Sequence, residues 1–79
     1  MEFRLPRLSA DMEYATVAQW LKQEGDKVEN EEPILEIDAD KVTHELTAPI
    51  SGTLAEILAL EGDELKVGAV LAVIDEDGS

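Results

Sequence analysis

Cysteine is absent from the chain, which rules out disulfide bonds, zinc–thiolate sites and thiol catalysis. Phe, Tyr and Trp occur once each, so the core must be almost entirely aliphatic. The longest apolar run, residues 67–74, is too short to span a bilayer, and the first ten residues lack the pattern of a signal peptide. A length of 79 residues predicts one small, soluble domain.

Basic residues are also scarce: six Lys and Arg face 19 Asp and Glu, for a formal net charge of −13. Such a surface repels phosphate backbones and anionic lipids, which argues against nucleic-acid and membrane binding. The acids are scattered along the chain. They indicate a solvated surface or, alternatively, steering toward a basic partner.

The chain contains an internal repeat. Residues 15–38 and 52–75 align without gaps at an offset of 37 positions, and eight of the 24 aligned positions are identical. Each copy has a run of apolar and β-branched residues, a Glu-Gly-Asp turn and a second apolar run. The identical pairs are Thr16/Thr53, Ala18/Ala55, Leu21/Leu58, Glu24/Glu61, Gly25/Gly62, Asp26/Asp63, Ile37/Ile74 and Asp38/Asp75.

Apolar runs of four to seven residues, bounded by Gly, Pro and Asp, favour strands. Only residues 20–25 and 57–62 could also pass as helical turns. The repeat predicts an all-β fold, a flattened sandwich or barrel of two small antiparallel sheets with internal pseudo-two-fold symmetry. The residues expected to form most of its core are Trp20, Leu21, Ile34, Ile37, Ile57, Leu58, Leu71 and Ile74.

Residues 34–49, "ILEIDADKVTHELTAP", predict a hairpin with Asp40 and Lys41 at its tip. Because this segment has no glycine, a type I turn with negative φ at both central residues is expected. The following strand alternates, with Val42, His44, Leu46 and Ala48 on one face. The repeat places this exposed turn at the opposite end of the sandwich from the chain's terminus.

Ordinary catalytic or metal sites do not emerge from the remaining residues. An EF-hand loop fails because its sixth and twelfth positions are Thr43 and Pro49. His44 is the only histidine and is expected to be a plain strand residue. Lys41 could simply balance nearby acids on the surface, which would contribute little to stability.

The segment "EIDADKV" resembles the lysine turn of lipoyl domains, the swinging-arm carriers of 2-oxo-acid dehydrogenase complexes. Gly25 lies 16 residues before Lys41 and Gly52 lies 11 after it, as in that family. The resemblance continues through "LPRLSADM", "TVAQWLKQEGDKV" and the second repeat. It covers residues 1–75 as one domain and leaves 76–79 as a disordered tail or the start of a linker.

Four residues depart from the family pattern. Tyr14 and Ala15 replace a usual Glu-Gly, Glu31 replaces a frequent Gly, and Ala39 replaces the more usual Thr before the Asp-Lys pair. These departures leave the lysine turn intact.

The resemblance implies a covalent lipoyl group on Lys41, attached as an amide by a lipoate ligase or lipoyl transferase. It implies reductive acylation by a thiamin-diphosphate-dependent 2-oxo-acid decarboxylase, transfer to coenzyme A in an acyltransferase core, and reoxidation by dihydrolipoamide dehydrogenase. The isolated domain would be a monomeric carrier, not an enzyme. The parent chain would be a dihydrolipoyl acyltransferase in the bacterial cytoplasm or, less favoured, the mitochondrial matrix.

Partner recognition is expected at two segments. A ligase would read Ala39, Asp40 and Val42 beside the lysine. The family's loop beside the lysine turn corresponds to Leu8, Ser9, Ala10, Asp11, Met12 and Glu13.

Rival interpretations stay open on the sequence. A biotinyl carrier shares the fold but places its lysine between two methionines, whereas Asp40 and Val42 flank Lys41 here. An unmodified acidic interaction module would carry no adduct, and the glycine-cleavage carrier is a longer protein. Pyruvate, 2-oxoglutarate, branched-chain and acetoin-type substrates all remain open.

Overall fold

The computed structural model describes residues 1–76, which contain eight strands and no helix, and therefore no helix able to cross a membrane. The strands are β1 (Glu2–Arg4), β2 (Tyr14–Trp20), β3 (Lys27–Val28), β4 (Pro33–Ala39), β5 (Val42–Thr47), β6 (Gly52–Ile57), β7 (Glu64–Lys66) and β8 (Val70–Glu76). The tail proposed for residues 76–79 lies outside the described residues, except for Glu76, which belongs to β8.

The strands form two four-stranded antiparallel sheets, ordered β1-β8-β6-β3 and β5-β4-β2-β7. The repeat accounts for this order, because β2, β3 and β4 of the first copy correspond to β6, β7 and β8 of the second. Each copy lends its shortest strand to the other sheet: β7 pairs with β2, and β3 pairs with β6. The predicted all-β sandwich with internal pseudo-symmetry is confirmed.

The Glu-Gly-Asp turns are built alike in both copies. Gly25 and Gly62 have φ values of 93° and 92°, a conformation that favours glycine. Asp26 and Asp63 each accept, through Oδ2, a backbone N–H three residues earlier, at 2.9 Å. The Gly25 N–H donates to the Leu54 carbonyl in the other copy, at 2.7 Å. Residues identical in the repeat therefore join its two halves.

The prediction of the core is confirmed for four of the eight expected residues, which are fully buried. Ile34, Ile37, Leu71 and Ile74 are fully buried, and Trp20 and Ile57 pack half-buried against them. The prediction was wrong for Leu21 and Leu58, which are 39% and 48% exposed. Both follow the last residue of a strand that contains a bulge, so the alternation of faces does not extend to them. The core also contains large buried residues outside the expected set of eight, namely Phe3, Leu5, Met12, Val17, Val28, Leu35, Leu46 and Leu54.

Candidate functional site

The hairpin of β4 and β5 closes on a two-residue loop. Ala39 pairs with Val42, which leaves Asp40 and Lys41 between the strands. Their φ values are 54° and 65°, so the loop has the type I′ pattern and the expected type I turn was wrong. The reason is the right-handed twist of the flanking strands, which a type I′ turn continues and a type I turn would splay apart.

Lys41 is displayed alone at this tip. Its side chain is exposed, and within residues 1–76 its ammonium group makes no hydrogen bond or ion pair. The nearby Asp38 carboxylate is engaged elsewhere, because it accepts the Thr43 hydroxyl at 2.7 Å across the ladder. The structure therefore offers no ion pair to account for the lysine, and its amine is open to solvent.

The strands below the turn hold it in place. Ala39 and Leu46 are each 5% exposed and belong to the core, so the hairpin is packed almost up to its tip. The predicted alternation along β5 is confirmed for Leu46 and Ala48, which are buried, and His44 is half-buried opposite Ile37. Val42 is 53% exposed because it lies beyond the edge of the core.

The loop of residues 8–13 leads into β2 beside the lysine turn. Thr16 pairs with Asp38 in an antiparallel ladder, and continuing that register by two residues brings Tyr14 level with Asp40. Tyr14 is 52% exposed. Sequence reasoning noted Tyr14 only as a departure from the family pattern; its place beside the turn follows from the register between β2 and β4.

The expected recognition residues divide by burial. Leu8, Ser9, Ala10, Asp11 and Glu13 are exposed, as are Asp40 and Val42 at the turn. Met12 is 1% exposed, and its sulfur accepts the Leu8 N–H at 3.2 Å. Met12 and Ala39 therefore support the surface from below and cannot be part of it.

Metal-ligating side chains do not accompany the lysine as a cluster within residues 1–76. No group of three or more His, Asp or Glu side chains there could hold a metal ion. What the turn offers is one nucleophilic amine at the end of a flexible stem on a packed hairpin, an arrangement suited to covalent attachment.

Comparison with known proteins places this arrangement in a family. A family model described as "Biotin-requiring enzyme" matches residues 1–74. The chain is 45% identical over 75 residues to the dihydrolipoyllysine-residue acetyltransferase component of a pyruvate dehydrogenase complex from Corynebacterium glutamicum. It is 47% identical over 75 residues to the corresponding succinyltransferase component of a 2-oxoglutarate dehydrogenase complex from Bacillus subtilis.

Both alignments cover 95% of this chain, which spans only 11% and 18% of the length of these relatives. The solution structure of the lipoyl domain of the 2-oxoglutarate dehydrogenase complex from Azotobacter vinelandii superimposes with a TM-score of 0.81 and 35% identity, over 99% of both chains. The chain therefore belongs to the biotin and lipoyl carrier family, and it is a lipoyl domain.

Proposed function

We propose that Lys41 is the site of lipoylation and that the domain is a swinging-arm carrier of a 2-oxo-acid dehydrogenase complex. The observation that carries the proposal is the exposed, unpaired Lys41 amine on a two-residue turn. The family carries either a lipoyl or a biotinyl group. Lipoate is favoured because Asp40 and Val42, not methionines, flank the lysine, and because the relatives above are named for a dihydrolipoyllysine residue.

The other lysines are less suited to attachment. The chain has four lysines, and Lys22 is held by Glu32 in an ion pair of 3.1 Å. Lys27 and Lys66 lie within β3 and β7, where the backbone is part of a sheet. Only Lys41 stands on a tight turn, where a ligase can approach the amine with exposed residues on both sides.

The protein's own residues supply attachment and presentation. The Lys41 Nζ, as the neutral amine, would attack the carboxyl carbon of lipoate that the ligase has activated. The activating group would leave with its bonding electron pair and the nitrogen would lose a proton, and the resulting amide removes the positive charge and lengthens the arm. When bound, the lipoyl group supplies a dithiolane for reductive acylation by a thiamin-diphosphate-dependent decarboxylase, acyl transfer to coenzyme A and reoxidation by dihydrolipoamide dehydrogenase. Asp40 and Val42 are exposed beside the amine, so these two neighbours leave the arm room to move.

We further propose the following surroundings for the domain. The parent chain is a dihydrolipoyl acyltransferase, and the complex works in the bacterial cytoplasm. The exposed part of the 8–13 loop, together with Tyr14, forms the surface that a decarboxylase reads beside the lysine. Tethering raises the effective concentration of the arm at each active site of the complex.

Intact-mass measurement tests the site and the cofactor together. The domain is expressed with lipoate ligase and lipoate, or with biotin ligase and biotin, as wild type, Lys41→Gln and Lys66→Gln. We expect a single lipoyl adduct on the wild type and on Lys66→Gln, and none on Lys41→Gln. An adduct that persists without Lys41, a biotinyl adduct, or no adduct on the wild type would each contradict the proposal.

The lipoylated domain then identifies the complex. Purified decarboxylases of the pyruvate, 2-oxoglutarate, branched-chain and acetoin types are each offered the domain with their substrate. Acylation by one of them at a rate well above the others assigns the substrate class. Equal failure of all four, with the lipoyl adduct present, would contradict a carrier role in this group of complexes.

A further inference from the structure

Two identical positions of the repeat have no role in the core. Leu21 and Leu58 are retained in both copies but are 39% and 48% exposed, and Leu60, two residues after Leu58, is 63% exposed. Leu21 and Leu58 follow the ends of β2 and β6, where hydrogen bonds from Trp20 to Glu61 and from Ile57 to Glu24 join the two repeats. Of the three leucines, Leu60 lines a groove, and an exposed apolar side chain at a groove is typical of an interaction surface.

A groove of about 620 Å³ lies at this meeting point. Its apolar lining is Trp20, Ile57 and Leu60, and Trp20 and Ile57 are equivalent positions of the repeat. The Trp20 indole donates to the Ala59 carbonyl at 2.7 Å, which fixes the orientation of the ring. The groove thus contains an apolar part that is lined by equivalent residues of the two repeats and in which the Trp20 ring has a fixed orientation.

The rim of the groove is negatively charged. Glu24 and Glu61, another equivalent pair, line it, and each uses Oε2 to accept a backbone N–H from the opposite repeat. The second carboxylate oxygen of each has no partner within residues 1–76. Lys22 also lines the groove, but its charge is offset by the ion pair with Glu32.

We propose that this groove docks a short basic segment of a partner protein, in which an aliphatic side chain adjoins Lys or Arg. The aliphatic side chain would cover Trp20 and Leu60, and the cationic group would pair with Glu24 or Glu61. A second copy of the chain is a poor occupant, because its own charge of −13 would be repelled.

Docking here leaves the lysine turn free. Trp20 lies six residues along β2 from Tyr14, which is level with Asp40, and this corresponds to about 20 Å of strand at roughly 3.3 Å per residue. A partner held at the groove would therefore keep the Lys41 turn at a raised local concentration without covering it. The groove and the modification site are therefore separate sites on one domain.

Tryptophan fluorescence tests the proposal directly, because Trp20 is the only tryptophan of the chain. The probes are an acetylated hexapeptide of alternating Arg and Leu, and a matched peptide with Glu in place of Arg. We expect a saturable change with the basic peptide only, in the weak range typical of small interfaces, and markedly weaker binding as salt rises.

Matched variants locate the binding. Leu60→Ser should weaken binding of the basic peptide by about five-fold or more, since it removes exposed apolar area, whereas Leu8→Ser at the other end of the molecule should not. Glu61→Gln and Glu24→Gln keep an oxygen that accepts the backbone N–H but remove the charge, and should also weaken binding. Glu45→Gln makes the same change of charge on β5 and should have little effect.

The proposal is overturned if the basic peptide gives no saturable change, or if Glu45→Gln weakens binding as much as Glu61→Gln. Concentration-dependent self-association through the same residues would also overturn it. Intact mass should show that Leu60→Ser is still lipoylated at Lys41, so that a loss of peptide binding is distinguished from a failure of the modification site. Circular dichroism confirms that the variants fold.

Discussion

The Glu24 carboxylate accepts the backbone N–H of Ile57 at 2.8 Å, across the boundary between the two repeats. Its counterpart Glu61 accepts the N–H of Trp20 at 3.1 Å. Both donors lie just beyond a bulge, at Ala55 in β6 and at Ala18 in β2, where the ladder is irregular. The glutamate of each turn thus satisfies a strand end of the other repeat, which explains why it is identical in both copies.

Removal of either glutamate should destabilise the domain. We expect Glu24→Ala and Glu61→Ala each to lower the free energy of unfolding by about 0.5–1.5 kcal/mol, the usual range for one hydrogen bond, and Glu24→Gln to cost less. Urea unfolding followed by circular dichroism measures this change. Glu45→Ala, which removes an exposed acid without such a bond, is the control, and a loss as large in the control would contradict the explanation.

The lysine turn depends on Asp40 in a left-handed conformation. Asp and Asn tolerate positive φ better than β-branched residues, so Asp40→Asn should leave stability nearly unchanged, whereas Asp40→Val should lose about 1–2 kcal/mol. The same urea experiment measures both variants. Equal stability of Asp40→Val and Asp40→Asn would mean that the loop does not adopt the type I′ conformation in solution.

Gly52 is required for a steric reason. A Cβ atom at this position would collide with the backbone carbonyl oxygen of Asp75 on β8 and approach its carbon to 2.9 Å. Backbone cannot move aside as a flexible side chain can, so Gly52→Ala should lose about 2–3 kcal/mol or more. Gly62→Ala, where the added Cβ meets nothing within 4 Å, should lose only about 1 kcal/mol for its positive φ. A loss of stability for Gly52→Ala no larger than that for Gly62→Ala would contradict this close approach of β6 to β8.

The repeat and the alternation of β5 were predictable because they depend on composition and spacing, which a sequence displays. The sequence did not reveal the bulges at Ala18 and Ala55, and those bulges decide that Leu21 and Leu58 face solvent. Nor did it reveal the turn type at Asp40, because strand twist outweighed the absence of glycine. Met12 was assigned to the recognition surface because the family resemblance covers the whole loop of residues 8–13, but its side chain is buried in the core.

Glu31 and Gly68 occupy equivalent positions of the repeat and share one backbone conformation, with φ values of 71° and 93°. The Glu31 N–H donates to the Ala48 carbonyl at 2.7 Å, and the Gly68 N–H donates to the Leu5 carbonyl at 2.9 Å. These hydrogen bonds fix the backbone conformation in both copies of the repeat. The left-handed backbone conformation costs a glutamate roughly 1–2 kcal/mol because of its Cβ atom, and glycine avoids this cost. Glycine, however, loses more conformational entropy on folding.

Introducing a glycine at position 31 and removing the glycine at position 68 should change the free energy of unfolding in opposite directions. Glu31→Gly should raise the free energy of unfolding by about 0.5 kcal/mol, and Gly68→Ala should lower it by about 1 kcal/mol, since open space around Gly68 leaves only the backbone cost. Glu31→Gln removes the same negative charge and keeps the side chain, so it should change little. If Glu31→Gln stabilises the domain as much as Glu31→Gly does, the gain comes from reduced charge repulsion and the backbone at Glu31 is not strained.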